Sequence, residues 1–395
     1  MNRPLPRRTV LGAATAAAGL ASLGGRAAAQ AAKPKSPLAI TVVDVAGNLA
    51  LTQKAFEAYR KAKPDMISRM TFTKAPAPEL PAKLRAQQAA NRVDIDLVLT
   101  GSDGLAAGIE QKIWAELVPA QAKSLPNLQE MLSDPALKMQ ALAQGQGVIV
   151  VYSPGGPLLE YMPDKVKSPP ATAEDLLAWT KANPNRFMYA RPANSGPGRA
   201  FMMGLPYILG DSNPKDPIKG WDKTWSYLKA LDGGIEYYPT GTGATMKELG
   251  EGSRDIIATM TGWDINPRAL GIVPKEARTI ALKGFHFIMD AHYMCVPKGL
   301  NEERMGVLLD LMTFMLTREQ QALTFDEGYF YPGPAVKGVT LAMAPKESQD
   351  VIASFGRPEY DKLIAETPTE LPLEADVMVQ AFRRWDEEIG AKKTK

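Results

Sequence analysis

The sequence predicts an α/β protein built as two lobes, and three observations carry that reading. Short apolar runs rich in β-branched residues alternate with glycine-containing turns and helical stretches, the pattern of mostly parallel sheets covered by helices. Once a leader is set aside, about 365 residues remain, more than one core holds and enough for two. A compact strand from Gln146 to Tyr152, ended by Ser153-Pro154-Gly155-Gly156-Pro157, offers an extended connection out of the first lobe.

The elements follow in order. Leu38 to Val45 reads as a buried parallel strand that ends at Asp44-Val45-Ala46-Gly47-Asn48. A helix through Ala55, Phe56 and Tyr59 runs until Pro64. Met66 to Thr73 is a second strand, Leu80 to Arg92 a polar helix, and Asp96 to Thr100 a third strand. Thr100-Gly101-Ser102-Asp103-Gly104 then leads into a helix ending near Trp114. Ligands of such sheets bind beyond the carboxyl ends of strands. That rule makes Asp44, Gly47, Asn48, Thr100, Gly101 and Ser102 candidate contacts, with Tyr152 at the outward connection.

In the middle of the chain Thr172, backed by Glu174 and Asp175, starts a capped helix through Leu176, Leu177 and Trp179. Phe187 to Ala190 begins another strand, and Ile256 to Thr261 is a strand ending at Gly262-Trp263-Asp264. Phe287 to Val296 is an apolar, aromatic-rich strand closed by Pro297 and Gly299. Asn301 offers an N-cap, with Glu302 and Glu303 in the first turn. Leu308, Leu309, Leu311, Met312, Met315 and Leu316 then repeat at helical spacing, so the sequence predicts one long helix stopped by Gly328 and Pro332.

Composition limits the function classes. Arg3, Arg7 and Arg8, an Ala/Gly-rich stretch from Val10 to Leu23, and Ala27-Ala28-Ala29 have the layout of an export signal over residues 1–29. Arg7-Arg8 before Thr9-Val10-Leu11 favours a twin-arginine type over an ordinary secretory signal. The leader removes four arginines and no acids, so the formal charge falls from +3 to −1. The basic balance therefore belongs to the leader and implies no nucleic-acid or membrane partner. Cys295 is the only cysteine, which excludes an intrachain disulfide and any paired-cysteine metal site.

Three constellations could carry chemistry. Asn194-Ser195-Gly196-Pro197-Gly198-Arg199, between a strand and a helix, offers free N–H groups and a hydroxyl to a carboxylate, phosphate or carbonyl oxygen, or is a plain helix start. It has neither the phosphate-loop lysine nor a dinucleotide fingerprint. Trp263-Asp264 combines an aromatic face with a carboxylate, which suits an ammonium or other organic cation; alternatively Trp263 packs a seam and Asp264 caps a turn. Asp290-Ala291-His292-Tyr293 lines a connection or fills core, with His292 and Tyr293 as candidate contacts. A metal centre would want several converging ligands, and a hydrolase a nucleophile in a recognisable setting; the sequence offers neither, so no cofactor, metal or catalytic residue is expected.

The chain resembles the type 2 periplasmic solute-binding proteins of ABC importers, in the branch of polyamine, thiamine and ferric-ion receptors. The likeness rests on Gly47-Asn48, Asp94 to Asp103, Gly147 to Tyr152, Pro192 to Gly198, Val296 to Gly299 and Met315 to Gln321, in that order behind an export signal. It implies two doubly wound, mostly parallel sheets joined by a two-segment hinge, with lobe 1 over 38–149 and 293–395 and lobe 2 over 150–292. It also implies a non-catalytic periplasmic receptor that closes around one small solute and delivers it to the permease's transmembrane subunits, working as a monomer. The sequence lacks the tandem tyrosines of many ferric receptors and has one clear Trp-Asp pair where polyamine receptors supply several. An amine-containing cation held by Trp263 and Asp264 is the favoured cargo, with an anionic or metal-complexed solute as the alternative and an exported enzyme as the alternative class.

Overall fold

The computed structural model describes residues 33–75 and 79–393, and the expected export segment lies outside them. β1 (Leu38–Asp44), β2 (Ile67–Lys74) and β3 (Leu97–Gly101) alternate with α1 (Leu49–Ala62) and α2 (Leu80–Ala89), and α3 (Ser102–Glu110) follows. All of β3 is buried, which its Leu97-Val98-Leu99 segment can afford in a sheet covered on both faces. α4 (Leu128–Met131) and α5 (Asp134–Leu142) lead to β4 (Val148–Gly156), and after Pro157 alone β5 (Leu158–Tyr161) begins in a second sheet. Gly155 makes that exit sterically possible. Its φ is +87°, and a Cβ there would stand 2.0 Å from the carbonyl oxygen of Ile288.

The inserted part contains α6 (Ala173–Ala182), β6 (Phe187–Met188), α7 (Gly196–Leu209), α8 (Asp222–Asp232), α9 (Thr242–Gly250), β7 (Ile256–Thr259), α10 (Ile265–Ala269) and β8 (Arg278–Ile280). The cap expected on α6 is present as a capping box: Asp175 N–H donates to Thr172 Oγ1 and Thr172 N–H to Asp175 Oδ2, at 3.1 and 3.0 Å. β9 (Phe287–Cys295) then re-enters the first sheet. The chain finishes with α11 (Glu302–Met315), α12 (Arg318–Ala322), β10 (Gly333–Pro334), α13 (Lys346–Phe355), α14 (Glu359–Glu366), β11 (Thr369–Glu370) and α15 (Ala375–Glu388).

The larger sheet has the order β10-β4-β9-β3-β1-β2 with β11 beside β9, and the smaller one β6-β7-β5-β8. The expectation of mostly parallel sheets needs correction. β1 pairs in parallel with β2 and β3, whereas β9 runs antiparallel to both β3 and β4, and β5 antiparallel to β7 and β8. The cause is the inserted segment: β4 leaves through the seam and β9 comes back through it, so β9 opposes the strands that point that way.

The single long helix after Asn301 is also corrected. α11 stops at Met315 and Thr317 turns extended, with ψ 151°, before α12 restarts. Gln321 fixes the break: its Nε2 donates to the carbonyls of Val150 (2.9 Å) and Met315 (3.1 Å), while its Oε1 accepts from Ala335 N–H at 2.9 Å. A fully buried glutamine thus has its amide satisfied only if the helix ends there.

Each sheet has its own core. The first joins Val42, Leu97, Val150, Met294 and Leu308; the second joins Phe187, Phe201, Trp221 and Leu228. The C-terminal stretch does not stay with the first. α15 packs on α3, and its Met378, Phe382 and Trp385 enter the second core, where Trp385 Nε1 donates to Tyr189 Oη at 3.0 Å.

Candidate ligand-binding site

A cavity of about 320 Å³ lies where the carboxyl ends of β1, β2 and β3 meet the inserted part. The first side brings Asp44 through Gly47, Lys74, Ala75, Gly101 and Asp103. The inserted side brings Asn194, Ser195, Gly196 and Arg199 from the start of α7, Thr242 from the start of α9, and Trp263. β9 supplies Asp290 and His292 between them, and Tyr329 and Phe330 close one wall.

Local chemistry explains each placement. The Asp44 carboxylate accepts the N–H groups of Ala46, Asn48 and Leu49 at 2.9–3.0 Å, so it caps α1 from four residues upstream of the usual position. Ser195 caps α7 by accepting from Gly198 N–H at 3.1 Å, and its Oγ lies 2.7 Å from Thr242 Oγ1, tying two helix starts together. His292 is buried, and burial pulls its imidazole below the usual value, so it is neutral at pH 7. Its Nδ1 faces the Asn48 amide at 3.1 Å, which places the proton on Nε2 when Asn48 donates.

The aromatic wall is set by a tight approach across the seam. Phe330 N–H donates to the Gly262 carbonyl at 2.8 Å, and a Cβ on Gly262 would meet Phe330 Cα at 2.8 Å. Phe330 accepts a left-handed φ of 54° to reach that position. Trp263 then meets Tyr329 edge-on, with centroids 5.2 Å apart at 89°, and Phe330 lies 4.1 Å from the His292 ring.

The acids of the cavity are largely matched. Asp290 accepts from Ser102 Oγ (2.9 Å), its neighbour Ala291 N–H (3.0 Å) and Arg199 Nη2 (3.0 Å). Asp103 lies 3.4 Å from Arg199 Nη1, an ion pair without a hydrogen bond, and Nη1 has no hydrogen-bond partner although Arg199 is 5% exposed. Burial would drive the Arg199 proton off, but Asp290 and Asp103 more than offset this and hold the guanidinium charged. Lys74, at the exposed end of β2, has no ion pair among the described residues.

Of the sequence candidates, Asp44, Gly47, Gly101, Asn194, Ser195, Gly196, Arg199, Trp263 and His292 line the cavity. The others do not. Asn48 and Ser102 stand behind it, holding His292 and Asp290. Thr100 turns its hydroxyl onto the Gly101 carbonyl, Tyr293 donates to the Met139 carbonyl at 2.8 Å, and Tyr152 packs in the first core.

Asp264 is the main correction. It is fully buried, accepting two bonds from Arg268 (2.9 and 3.0 Å), two from Arg357 (both 2.7 Å) and one from Tyr360 (2.8 Å). Burial alone would raise its pKa, yet the two guanidiniums, Arg357 foremost, hold it below the usual carboxylate range. Trp263 and Asp264 are neighbours that point to different places, because the short 3₁₀ turn after β7 rotates one away from the other.

Reading the sequence missed Lys74, Thr242, Tyr329 and Phe330 as cavity residues. Only Thr242 had a legible signal, a Gly-Thr-Gly turn before a helix. Among the described residues no group of three or more His, Cys, Asp or Glu is arranged to hold a metal ion.

Comparison with known proteins adds an independent finding. The pattern of the family described as bacterial extracellular solute-binding protein matches residues 54–353. No curated protein matches the chain in sequence. Among solved structures, the periplasmic binding protein AfuA of Actinobacillus pleuropneumoniae, with fructose-6-phosphate bound, superposes with a TM-score of 0.61 at 14% identity, over 90% of this chain and 99% of that one. A periplasmic thiamin binding protein gives 0.60 at 16% identity, over 90% and 97%. The spermidine/putrescine substrate-binding protein PotD of Streptococcus pneumoniae gives 0.57 at 12% identity, over 88% and 99%. At these identities the structures establish a shared fold.

Proposed function

The chain belongs to the bacterial extracellular solute-binding proteins, and from that premise we propose that it is the substrate-binding component of an ABC importer. It is exported by the Arg7-Arg8 leader, cut near Ala29, and works in the periplasm as a monomeric, non-catalytic receptor. The two lobes, expected over 38–149 with 293–395 and over 150–292, close on one small solute and present it to the permease's transmembrane subunits; their bounds shift, since the larger sheet takes β4 to Gly156 and β9 from Phe287, and α15 joins the second core. The observation that carries this reading is the composition of the cavity, to which loops of both sheets and the crossover strand β9 contribute side chains. A solute touching all three stabilises the closed arrangement over the open one by the contacts it makes only there. Its size suits the role, since about 320 Å³ holds the volume of roughly ten waters.

The cargo reading changes with the structure. The amine assignment relied on Trp263 and Asp264 acting together, and Asp264 is spent on Arg268, Arg357 and Tyr360. The cargoes in the neighbours' descriptions, a sugar phosphate, thiamin and polyamines, do not choose a class. Native mass spectrometry of the purified protein tests the role, followed by small-angle scattering with and without the molecule it retains. A retained metabolite and a smaller radius of gyration on rebinding are expected. A tightly held redox cofactor, with no change in radius, would replace the receptor by an exported enzyme.

A further inference from the structure

His292 presents the cavity with a polar atom that the protein leaves unmatched. The residue is 4% exposed, and its ring lines the cavity against Phe330, with centroids 4.1 Å apart. Its Nδ1 meets the Asn48 amide at 3.1 Å, whereas Nε2 has no hydrogen-bond partner among the described residues. Arg199 Nη1 also lacks an acceptor, but it is sealed in beside Asp103. His292 Nε2 is not sealed: it keeps exposed surface, and the space it faces is the cavity.

A row of buried groups behind the ring decides what Nε2 offers. Thr52 Oγ1 lies 2.8 Å from Asn48 Oδ1 and 2.9 Å from the Asn48 carbonyl oxygen, and both residues are fully buried. With Oδ1 turned to Thr52, Asn48 Nδ2 is left to donate to His292 Nδ1. Burial keeps the imidazole neutral at pH 7, so its one proton stands on Nε2. The surrounding field favours the same tautomer. Asp44, Asp103 and Asp290 act on the ring against Arg199 alone, and an N–H dipole directed among acids is stabilised.

Resting on the receptor reading above, we propose that His292 sets cargo specificity: its Nε2–H donates to an uncharged acceptor oxygen of the cargo, of the amide or carbonyl class. An ammonium group at that spot would set donor against donor. A carboxylate or phosphate there would face three acids and one guanidinium, a net charge of −2. Asn48 and Thr52 stand behind the ring as positioning residues, holding it in one tautomer.

The test uses the mature chain with nitrogen-15-labelled histidine, since His286 and His292 are its two imidazoles. Nitrogen NMR at pH 7 is expected to show His292 neutral with its proton on Nε2. Benzamide, benzoate and benzylamine, which share a ring and differ in charge, are then titrated in. Benzamide is expected to move the Nε2–H signal and to bind about tenfold more tightly than the other two. His292→Phe keeps a ring against Phe330 and should weaken benzamide about tenfold. His292→Gln, which retains an N–H near the Nε2 position, should recover most of that loss. A proton on Nδ1, a Nε2–H signal that none of the probes moves, tighter binding of benzoate or benzylamine, or equal losses in the two variants overturns the assignment. The tautomer and the probe series are read on the unchanged protein, so they decide even where a variant fails to fold. Each of these outcomes leaves the receptor reading standing, because that reading is judged by the retained metabolite and the change in radius.

Discussion

Asp264 and Asp290 are both buried aspartates facing arginines, and they are used in opposite ways. Asp264 draws two guanidiniums and a phenol onto one carboxylate, and neither of its oxygens is left over. Asp290 shares a single guanidinium with Asp103, and that guanidinium keeps one nitrogen without an acceptor. The Asp264 cluster stands outside the cavity lining, and fully buried Glu160 beside it is pushed well above the usual carboxylate range, by burial first and by Asp264 second. Asp290 and Arg199 line the cavity, so a change there reaches the ligand directly.

The largest expected effect breaks the closed cluster. Asp264→Ala strands the Arg268 and Arg357 charges in the interior and should cost about 3–5 kcal/mol in urea unfolding. Cargo affinity of the folded fraction should change little. The loss should also shrink in acid. Asp264 has a folded pKa below its unfolded one, so its contribution is present above the unfolded value and fades as pH falls through the folded one. A stability change under 1 kcal/mol, roughly the surface-pair range, would show that the cluster is not load-sharing.

Asp290→Asn should cost less, about 2 kcal/mol, because its amide can still accept from Ser102. It leaves Arg199 with Asp103 as its remaining carboxylate partner at the cavity, so affinity for the retained cargo should change as well as stability. A stability loss with cargo affinity unchanged would return Asp290 to the scaffold.

The smallest effect uses a third acid. Asp326, partly buried beside Glu327, has its pKa pushed up to about 6, by burial first and by Glu327 second. Ionising it therefore opposes folding, a cost absent below pH about 4 and complete above pH about 6. Asp326→Asn should stabilise the protein by up to about 2 kcal/mol at pH 8 and do nothing at pH 3.5. Asn also tolerates the left-handed φ of 26° found there. Stability curves with and without the substitution that stay parallel across this range would contradict the assignment.

What could be read in the sequence was whatever depends on near neighbours. β3, β4 and β9 are apolar runs bounded by turn residues; β3 and β9 form within a residue of their expected limits, while β4 runs past Tyr152, through the expected turn, to Gly156. The Ser195 to Arg199 corner needs only a strand, glycines and a helix start, and it lines the cavity. Asp264 shows where that reasoning stops. Its partners Arg357 and Tyr360 are 93 and 96 residues downstream, so nothing near Trp263-Asp264 hints that the carboxylate is taken. Tyr329 and Phe330 reach the cavity only through a run of left-handed residues from Asp326, a path with no periodicity to reveal it. The direction of β9 was equally hidden, since composition does not record which way a strand is traversed.

α15 grips α3 with one flank and Tyr189 with the other, so it lies across the seam like a splint. Two bodies splinted this way, and sewn together by β4 and β9 besides, are joined at three crossings of one seam. On the receptor reading, any change in their spacing has to be absorbed at those three crossings.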